Sequence, residues 1–366
     1  MKWNWEQPEW PTFNFSIDNE KEIEFIKQAS LMTGAISVIN RDSLKDIEIE
    51  LISEEALKTS EIEGEYLDRK SIQSSIKKNF GIQTNEKIPE KERGVSNMMI
   101  FIYSNYKKKL SHSYLYELHK RVCGHDKNIR PGRYRSGNEP MQIVSGNIGH
   151  PKVHFEAPPS SNVKAEMDMY IQWFNDTSPN GKAPLPCLIR ASIAHFYFES
   201  IHPFEDGNGR IGRALVKKII SEHTETPTLM SLSKVIFENQ REYYLQFEKN
   251  NRTLNINRWI NYFSDTILMA QKHTIKLIQF IVKKSEIRSH PELNKRQTMV
   301  LLRIFDEGLG GFKGGLSSEN YIKISKTSRA TATRDLQHLV ELHILKKTGH
   351  LKSTRYTLQF LDDLNT

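Results

Sequence analysis

The sequence predicts a mainly α protein with a small β-hairpin set into its helical body and a second, smaller module at the C-terminal end. Three observations carry this prediction. Apolar residues recur at helical spacing from about residue 18 to residue 285. Short extended runs, Met141 to Val144 and Lys152 to Phe155, lie ahead of Ala157-Pro158-Pro159 and read as a hairpin, with Pro131-Gly132-Arg133-Tyr134-Arg135 leading into it. Ser289-His290-Pro291-Glu292-Leu293-Asn294 then breaks the last long helix and opens a different pattern.

The opening Trp3-Asn4-Trp5-Glu6-Gln7-Pro8-Glu9-Trp10-Pro11 is too proline-rich for a helix and too aromatic for a disordered tail, so it is expected to pack onto the body. Helices are expected near residues 18–36, 41–61, 68–78, 91–107, 113–123, 161–176, 184–200 and 237–249, with another starting near Gly209. Trp259, Phe263 and Ile267, four apart, mark one face of a long helix from Asn257 to about Ile287. The domain boundaries expected are a leader over 1–90, a core over 91–285 and a C-terminal module over 290–366.

Length and composition bound the rest. A chain of 366 residues allows two or three domains and one substantial core. Cys123 and Cys187 do not suggest a disulfide framework, and no His/Cys cluster has zinc spacing. The N-terminus lacks the basic and then apolar profile of a signal peptide. No apolar run approaches the roughly 20 residues of a membrane helix, so a cytoplasmic protein without a membrane partner is expected.

Chemistry concentrates in His202-Pro203-Phe204-Glu205-Asp206-Gly207-Asn208-Gly209-Arg210-Ile211-Gly212-Arg213. Gly207 and Gly209 permit a tight turn whose backbone N–H groups converge on an anion where the next helix starts. Arg210 and Arg213 are neighbours on the first turn of that helix, and both can fork onto phosphate oxygens. Asp206 can hold magnesium while substrate phosphates supply further ligands, and His202 can take a proton from a hydroxyl. Each element alone also reads as an ordinary turn, cap or packed histidine; their combination favours a polyphosphate site. No Gly-Lys-Ser/Thr follows, which excludes a Walker loop.

At these residues the chain resembles the Fic family, whose motif is His-x-Phe-x-Asp/Glu-Gly-Asn-Gly-Arg-x-x-Arg; every fixed position matches. The resemblance implies a Fic-type helical core that transfers AMP from ATP to a protein hydroxyl. It implies that His202 deprotonates the target side chain, Asp206 binds Mg2+ and Phe204 points into the core. It further implies that Gly207, Asn208, Gly209 and Arg210, followed by Ile211 and Gly212, cradle the phosphates, and that Arg213 contacts the terminal one. Family members that phosphorylate differ at Gly-Asn-Gly, which argues against that branch.

A second segment, Thr59-Ser60-Glu61-Ile62-Glu63-Gly64, fits the family's inhibitory pattern Ser/Thr-x-x-x-Glu-Gly/Asn. Thr59 and Glu63 lie one turn apart on a helix face, and Gly64 suits its C-terminal end. The resemblance implies that Glu63 pairs with Arg213 and hinders the terminal phosphate; without the downstream motif Glu63 reads equally as a solvated acid. By the same resemblance Val153, His154, Phe155 and Glu156 belong to a flap that registers the target backbone and touches nucleotide, although a plain surface hairpin fits them too. Tyr243 or Tyr244 is placed against the nucleoside and Asn251 at the adenine edge, while paired tyrosines on a helix also read as packing.

In the C-terminal module, helices are expected over Gln297 to Phe305, Ser317 to Ile324 and Arg329 to about Leu342, the last capped by Ser328, before a β-hairpin from Leu345 to Leu358. Three helices and a hairpin are the order of a winged helix-turn-helix domain. Arg329, Thr331, Thr333 and Arg334 would then face a major groove. The net charge of +8 favours an anionic partner, and Lys323, Lys326, Arg329, Arg334, Lys346, Lys347, Lys352 and Arg355 outnumber Asp335 and Glu341 between them. Winged helices also dock proteins, so DNA and protein partners both stay open.

The function expected is an autoinhibited protein adenylyltransferase using ATP, with an unidentified target protein and homo-oligomerisation left open. The alternatives are a nucleotide-sensing DNA-binding regulator and a transferase with another nucleotide donor.

Overall fold

The computed structural model describes residues 2–37, 39, 41–145, 152–309, 311, 312 and 314–363; the side chains of residues 41, 42, 352, 362 and 363 lie outside that description. The chain divides into two compact units, Met1–Ser37 with Lys45–Thr274 and Val38–Leu44 with Ile275–Thr366. Its α-helices are α1 (Asn19–Ser37), α2 (Arg41–Ile62), α3 (Arg69–Asn79), α4 (Glu90–Asn105), α5 (His112–Cys123), α6 (Val163–Asp176), α7 (Cys187–Ile201), α8 (Asn208–Thr224), α9 (Leu232–Glu238), α10 (Gln240–Asn250) and α11 (Asn257–Arg288). Then follow α12 (Lys295–Phe305), α13 (Ser318–Ser325), α14 (Arg329–Glu341) and α15 (Phe360–Asp363).

The larger unit is built around α7. Every residue of this helix except Glu199 is buried, because apolar and small side chains surround its whole circumference. Its first N–H groups follow Pro186, which offers no side-chain cap; Glu22 of α1 accepts from Leu188 and Ile189 instead, at 2.9 and 3.2 Å. Burial raises the Glu22 pKa against the pull of those N–H donors. Helix α8 packs along α7 and buries Arg210, Arg213, Lys217 and Lys218. The two lysines are held by backbone carbonyls: Lys217 donates to Met230, Lys218 to Tyr106 and Lys108.

The aromatic leader packs as its composition predicts. Asn4 donates to Ser200, Trp5 to the Glu156 carbonyl and Trp10 to Glu166, and Trp10 and Phe13 pack edge-on against Tyr197. Strands β1 (Gln142–Ser145) and β2 (Lys152–Glu156) form an antiparallel hairpin with a register shift between Ile143 and Val144. Pro131–Arg135, expected to lead into that hairpin, forms no strand and bonds to the loop after α7: Arg135 N donates to the Pro203 carbonyl. The helical stretch expected near 237–249 is α10, while α9 starts at Leu232, ahead of that range, and the chain leaves helical geometry between the two at Asn239 (φ −120°, ψ 29°).

In the smaller unit, Asn294 caps α12 in a box with Gln297, Ser317 caps α13, and Ser328 caps α14. Strands β3 (Leu345–Thr348) and β4 (Arg355–Leu358) pair antiparallel, and Leu316 adds a bridge to Tyr356. Buried Asp335 ties the unit together, accepting from Tyr321, Asn294 and Arg296. The order helix, helix, helix, hairpin is the one the sequence predicts. Arg329, Thr333 and Arg334 are exposed on α14 and Thr331 is half-buried, its hydroxyl 3.0 Å from that of Ser328.

Candidate active site

The site is the turn between α7 and α8. Helix α7 ends at His202, whose left-handed backbone (φ 49°, ψ 60°) turns the chain out of the helix. Arg135 fastens this turn: its Nε donates to the His202 carbonyl at 2.8 Å and its Nη2 to the carbonyls of Ile201 and Pro158. Phe204 is buried and stacks on His119 with centroids 4.2 Å apart. Asn208 closes the loop with two bonds to Phe204, accepting from its N–H and donating to its carbonyl, each at 2.9 Å.

Gly207 caps α8 with φ 82°, and a Cβ there would lie 2.8 Å from Cys123 Sγ. Beyond it, the first N–H groups of α8 are oriented as in helix-terminal anion sites. Arg210 is buried and divides its fork between Asp206 and Glu65, both at 2.7 Å. Glu65 also meets Lys91 at 3.0 Å. Arg213 is buried and donates from Nε to Thr59 Oγ1 at 2.8 Å, and from Nη2 to the Thr59 carbonyl at 2.9 Å and Glu63 Oε1 at 2.7 Å. Burial opposes the Arg213 charge, yet Glu63 holds the guanidinium pKa above its ordinary value.

Glu63 reaches this position because α2 ends there. Gly64 takes φ 77° and the Glu65 N–H returns to the Ser60 carbonyl, so the chain turns immediately after the glutamate. Gln240 and Tyr244 of α10 both donate to the Ile62 carbonyl, at 2.8 and 3.4 Å. A Cβ at Gly209 would stand 2.3 Å from Glu63 Oε1, so only glycine admits the carboxylate over the first turn of α8.

Burial, with Arg135 nearby, pushes the His202 imidazole down to about 4, leaving it neutral and able to accept a proton at physiological pH. Among the described residues no group of three or more His, Cys, Asp and Glu could hold a metal. The half-exposed Asp206 carboxylate suits the alternative, a Mg2+ ion bound by one carboxylate and substrate phosphates.

The remaining expected residues are distributed as follows. Tyr243 is buried and its hydroxyl lies 2.6 Å from His195 Nε2, so of the tyrosine pair only Tyr244 presents ring surface to solvent. Asn251 is buried and donates to the His154 carbonyl at 2.8 Å, joining the end of α10 to β2. His154 and Lys152 both meet Glu248, Phe155 packs under Trp3, and Glu156 accepts from Gln142; Val153 pairs with Val144. Arg135, Glu65 and Gln240 were not expected in the site. Each acts through a partner distant in sequence, and local pattern carries no sign of that.

The loop between α7 and α8, the first turn of α8 and the Glu63 carboxylate against it form the candidate site of a helical domain. Residues 109–220 match the family model described as Fic/DOC family, and the chain carries a Fic domain. Residues 3–82 match a domain of unknown function, DUF4172. Relatives named protein adenylyltransferase Fic include one from Nematostella vectensis, 28% identical over 128 residues that make up 35% of this chain and 26% of that protein. Another, protein adenylyltransferase fic-1 of Caenorhabditis elegans, is 30% identical over 128 residues, 35% of this chain and 22% of the relative. The aligned region thus spans about a quarter of the length of these relatives. In fold, the chain resembles a Fic family protein from Desulfovibrio desulfuricans G20, with TM-score 0.54, 19% identity and coverage of 94% and 97% of the two chains. It also resembles C. elegans Fic-1, with TM-score 0.52, 20% identity and coverage of 71% and 73%.

Proposed function

We propose that this protein transfers AMP from Mg-ATP to a hydroxyl side chain of a target protein, and that Glu63 restrains the reaction by occupying Arg213. The observation that supports this most is the 2.7 Å pair between Glu63 and Arg213, set directly over the Gly209 turn where a triphosphate would lie. One guanidinium cannot serve a carboxylate and a terminal phosphate fully at once.

In this reading the amides from Gly207 to Arg210 receive the phosphates, and Arg213 takes the terminal one when Glu63 withdraws. Asp206 holds Mg2+, which neutralises phosphate charge when bound. His202 accepts the proton of the target hydroxyl as its oxygen bonds to the α-phosphorus; the bond from that phosphorus to the bridging oxygen breaks, and pyrophosphate leaves. The exposed strand β1 receives target backbone by strand addition. Tyr244 lies along the nucleoside.

Labelled ATP tests the reading. Glu63→Gly should raise AMP incorporation over the parent, and His202→Ala should abolish it. Equal labelling of all three proteins overturns the assignment.

For the smaller unit we propose duplex DNA binding through α14, favoured by the exposure of Arg329, Thr333 and Arg334. Affinity should fall steeply as salt rises. Absence of binding at low salt would instead assign the unit to protein docking.

A further inference from the structure

Helix α7 carries His195, Glu199 and His202 at spacings of four and three, which places them on one face leading to the proposed base. Glu199 Oε1 is buried without a hydrogen-bond partner, and His195 Nδ1 and His202 Nδ1 make no bond of good geometry, each ring standing near one backbone group, that of Gly212 and that of Glu199. Glu199 Oε2 stands 3.7 Å from His202 Nδ1. Helix α8 closes over the group, since a Cβ at Gly212 would meet Glu199 Oε1 at 2.6 Å and His195 Nδ1 at 2.9 Å. Glu199 thus keeps one oxygen, Oε1, buried without a partner on the α8 side and the other, Oε2, toward the base, an arrangement that is costly for structure alone.

We infer that Glu199 is a positioning residue for His202: its carboxyl fixes the imidazole with Nδ1 inward, leaving Nε2 for the target hydroxyl, and once ionised it compensates the charge the ring gains with the proton. This deepens the adenylyl-transfer reading and rests on it. The contact is longer than a hydrogen bond in the resting protein, and such contacts shorten when the reacting complex forms. The arrangement parallels any base whose second nitrogen is oriented by a carboxylate.

Several charged or titratable groups face the pair. Arg213 from α8 and Glu63 from the end of α2 face Glu199, as do Tyr170 of α6 and Tyr243 and Tyr244 of α10. Arg135, Glu63 and Asp206 face His202. Burial pushes Glu199 up to about 8 despite Arg213, and His202 down to about 4. Between these values both groups are neutral. Above about 8 the carboxylate forms and strengthens the base, so transfer should rise through that range.

The test uses the full chain carrying Glu63→Gly, with labelled Mg-ATP and incorporation into the protein itself as the readout. Adding Glu199→Gln should lower kcat about tenfold with KM for ATP unchanged, a tenth or less of the usual worth of a positioned base. It should also remove the rise, which loss of Glu63 places at or below pH 8. Imidazole nitrogen NMR of the same proteins should show His202 protonated on Nδ1, with a shift through the same range that Glu199→Gln eliminates. Should that variant fail to fold, Glu199→Asp replaces it and should keep the pH step at a reduced kcat. An unchanged pH profile and unchanged His202 spectra in Glu199→Gln overturn the inference, as does loss of the step in Glu199→Asp. If the Glu63→Gly protein incorporates no AMP, the transfer reading fails while the spectra still decide the role of Glu199.

Discussion

Glu63 Oε1 and Arg213 Nη2 lie 2.7 Å apart, and Thr59, one turn earlier on the same helix, takes two further bonds from that guanidinium. Three bonds from the end of one helix thus hold Arg213, and the proposed restraint rests on them together. Removing the acceptor of one buried bond costs about 1–3 kcal/mol. Thr59→Ala should accordingly raise AMP incorporation several-fold, yet less than Glu63→Gly does. A Thr59→Ala protein indistinguishable from the parent would assign the whole restraint to the glutamate.

Arg210 is held in the same manner. Its fork joins Asp206 to Glu65, and Glu65 is braced by Lys91. A phosphate must compete with Glu65 for Nη1. Glu65→Gln should tighten Mg-ATP binding by roughly three- to tenfold, since exchanging a charged acceptor for a neutral one weakens such a bond by about 1 kcal/mol. Isothermal calorimetry reads this directly, and weaker binding would make Glu65 a support for Arg210 rather than a competitor.

The depressed His202 pKa sets the direction of two pH effects. The free imidazole titrates near 6.5 and the folded one near 4, so between these values the unfolded chain holds a proton that the folded chain lacks. The contribution of His202 to stability is therefore lost as pH falls from 6.5 towards 4. Relative to His202→Ala, the parent should lose stability over that window in urea titrations. AMP transfer by the Glu63→Gly protein should hold its rate from about pH 7 down to about pH 5 rather than halving near 6.5.

Gly207 combines a left-handed backbone with a close approach to Cys123, at φ 82° and 2.8 Å. Gly207→Ala should destabilise the protein by about 1–3 kcal/mol through backbone strain and contact. Cys123→Ala should recover part of that loss, because the two sites share one contact. Unfolding midpoints in urea check both statements.

Much of this architecture is legible in the chain. The helices α1 to α8, the long α11 and the Ser328 cap of α14 follow from periodicity and from the serine at the helix start, because those signals are local, whereas the caps at Asn294 and Ser317 emerge from the structure. The short helix α9 is not legible: its seven residues, Leu232–Glu238, are too few to show a helical period of their own. The motif shows its glycines and arginines openly. What it conceals is how each is used at rest, because Arg210 is engaged from residue 65, Arg213 from residues 59 and 63, and the His202 carbonyl from residue 135. Tyr243 illustrates the converse, an aromatic whose place in the sequence suggests a ligand contact and whose hydroxyl is taken by His195.

The competition for Arg213 is tested most directly by calorimetric titration of the parent and the Glu63→Gly protein with Mg-ATP and with Mg-ADP. Withdrawal of the carboxylate should tighten ATP more than ADP, since the terminal phosphate is the group that inherits the guanidinium. An equal gain for both nucleotides, or none for either, would contradict the account.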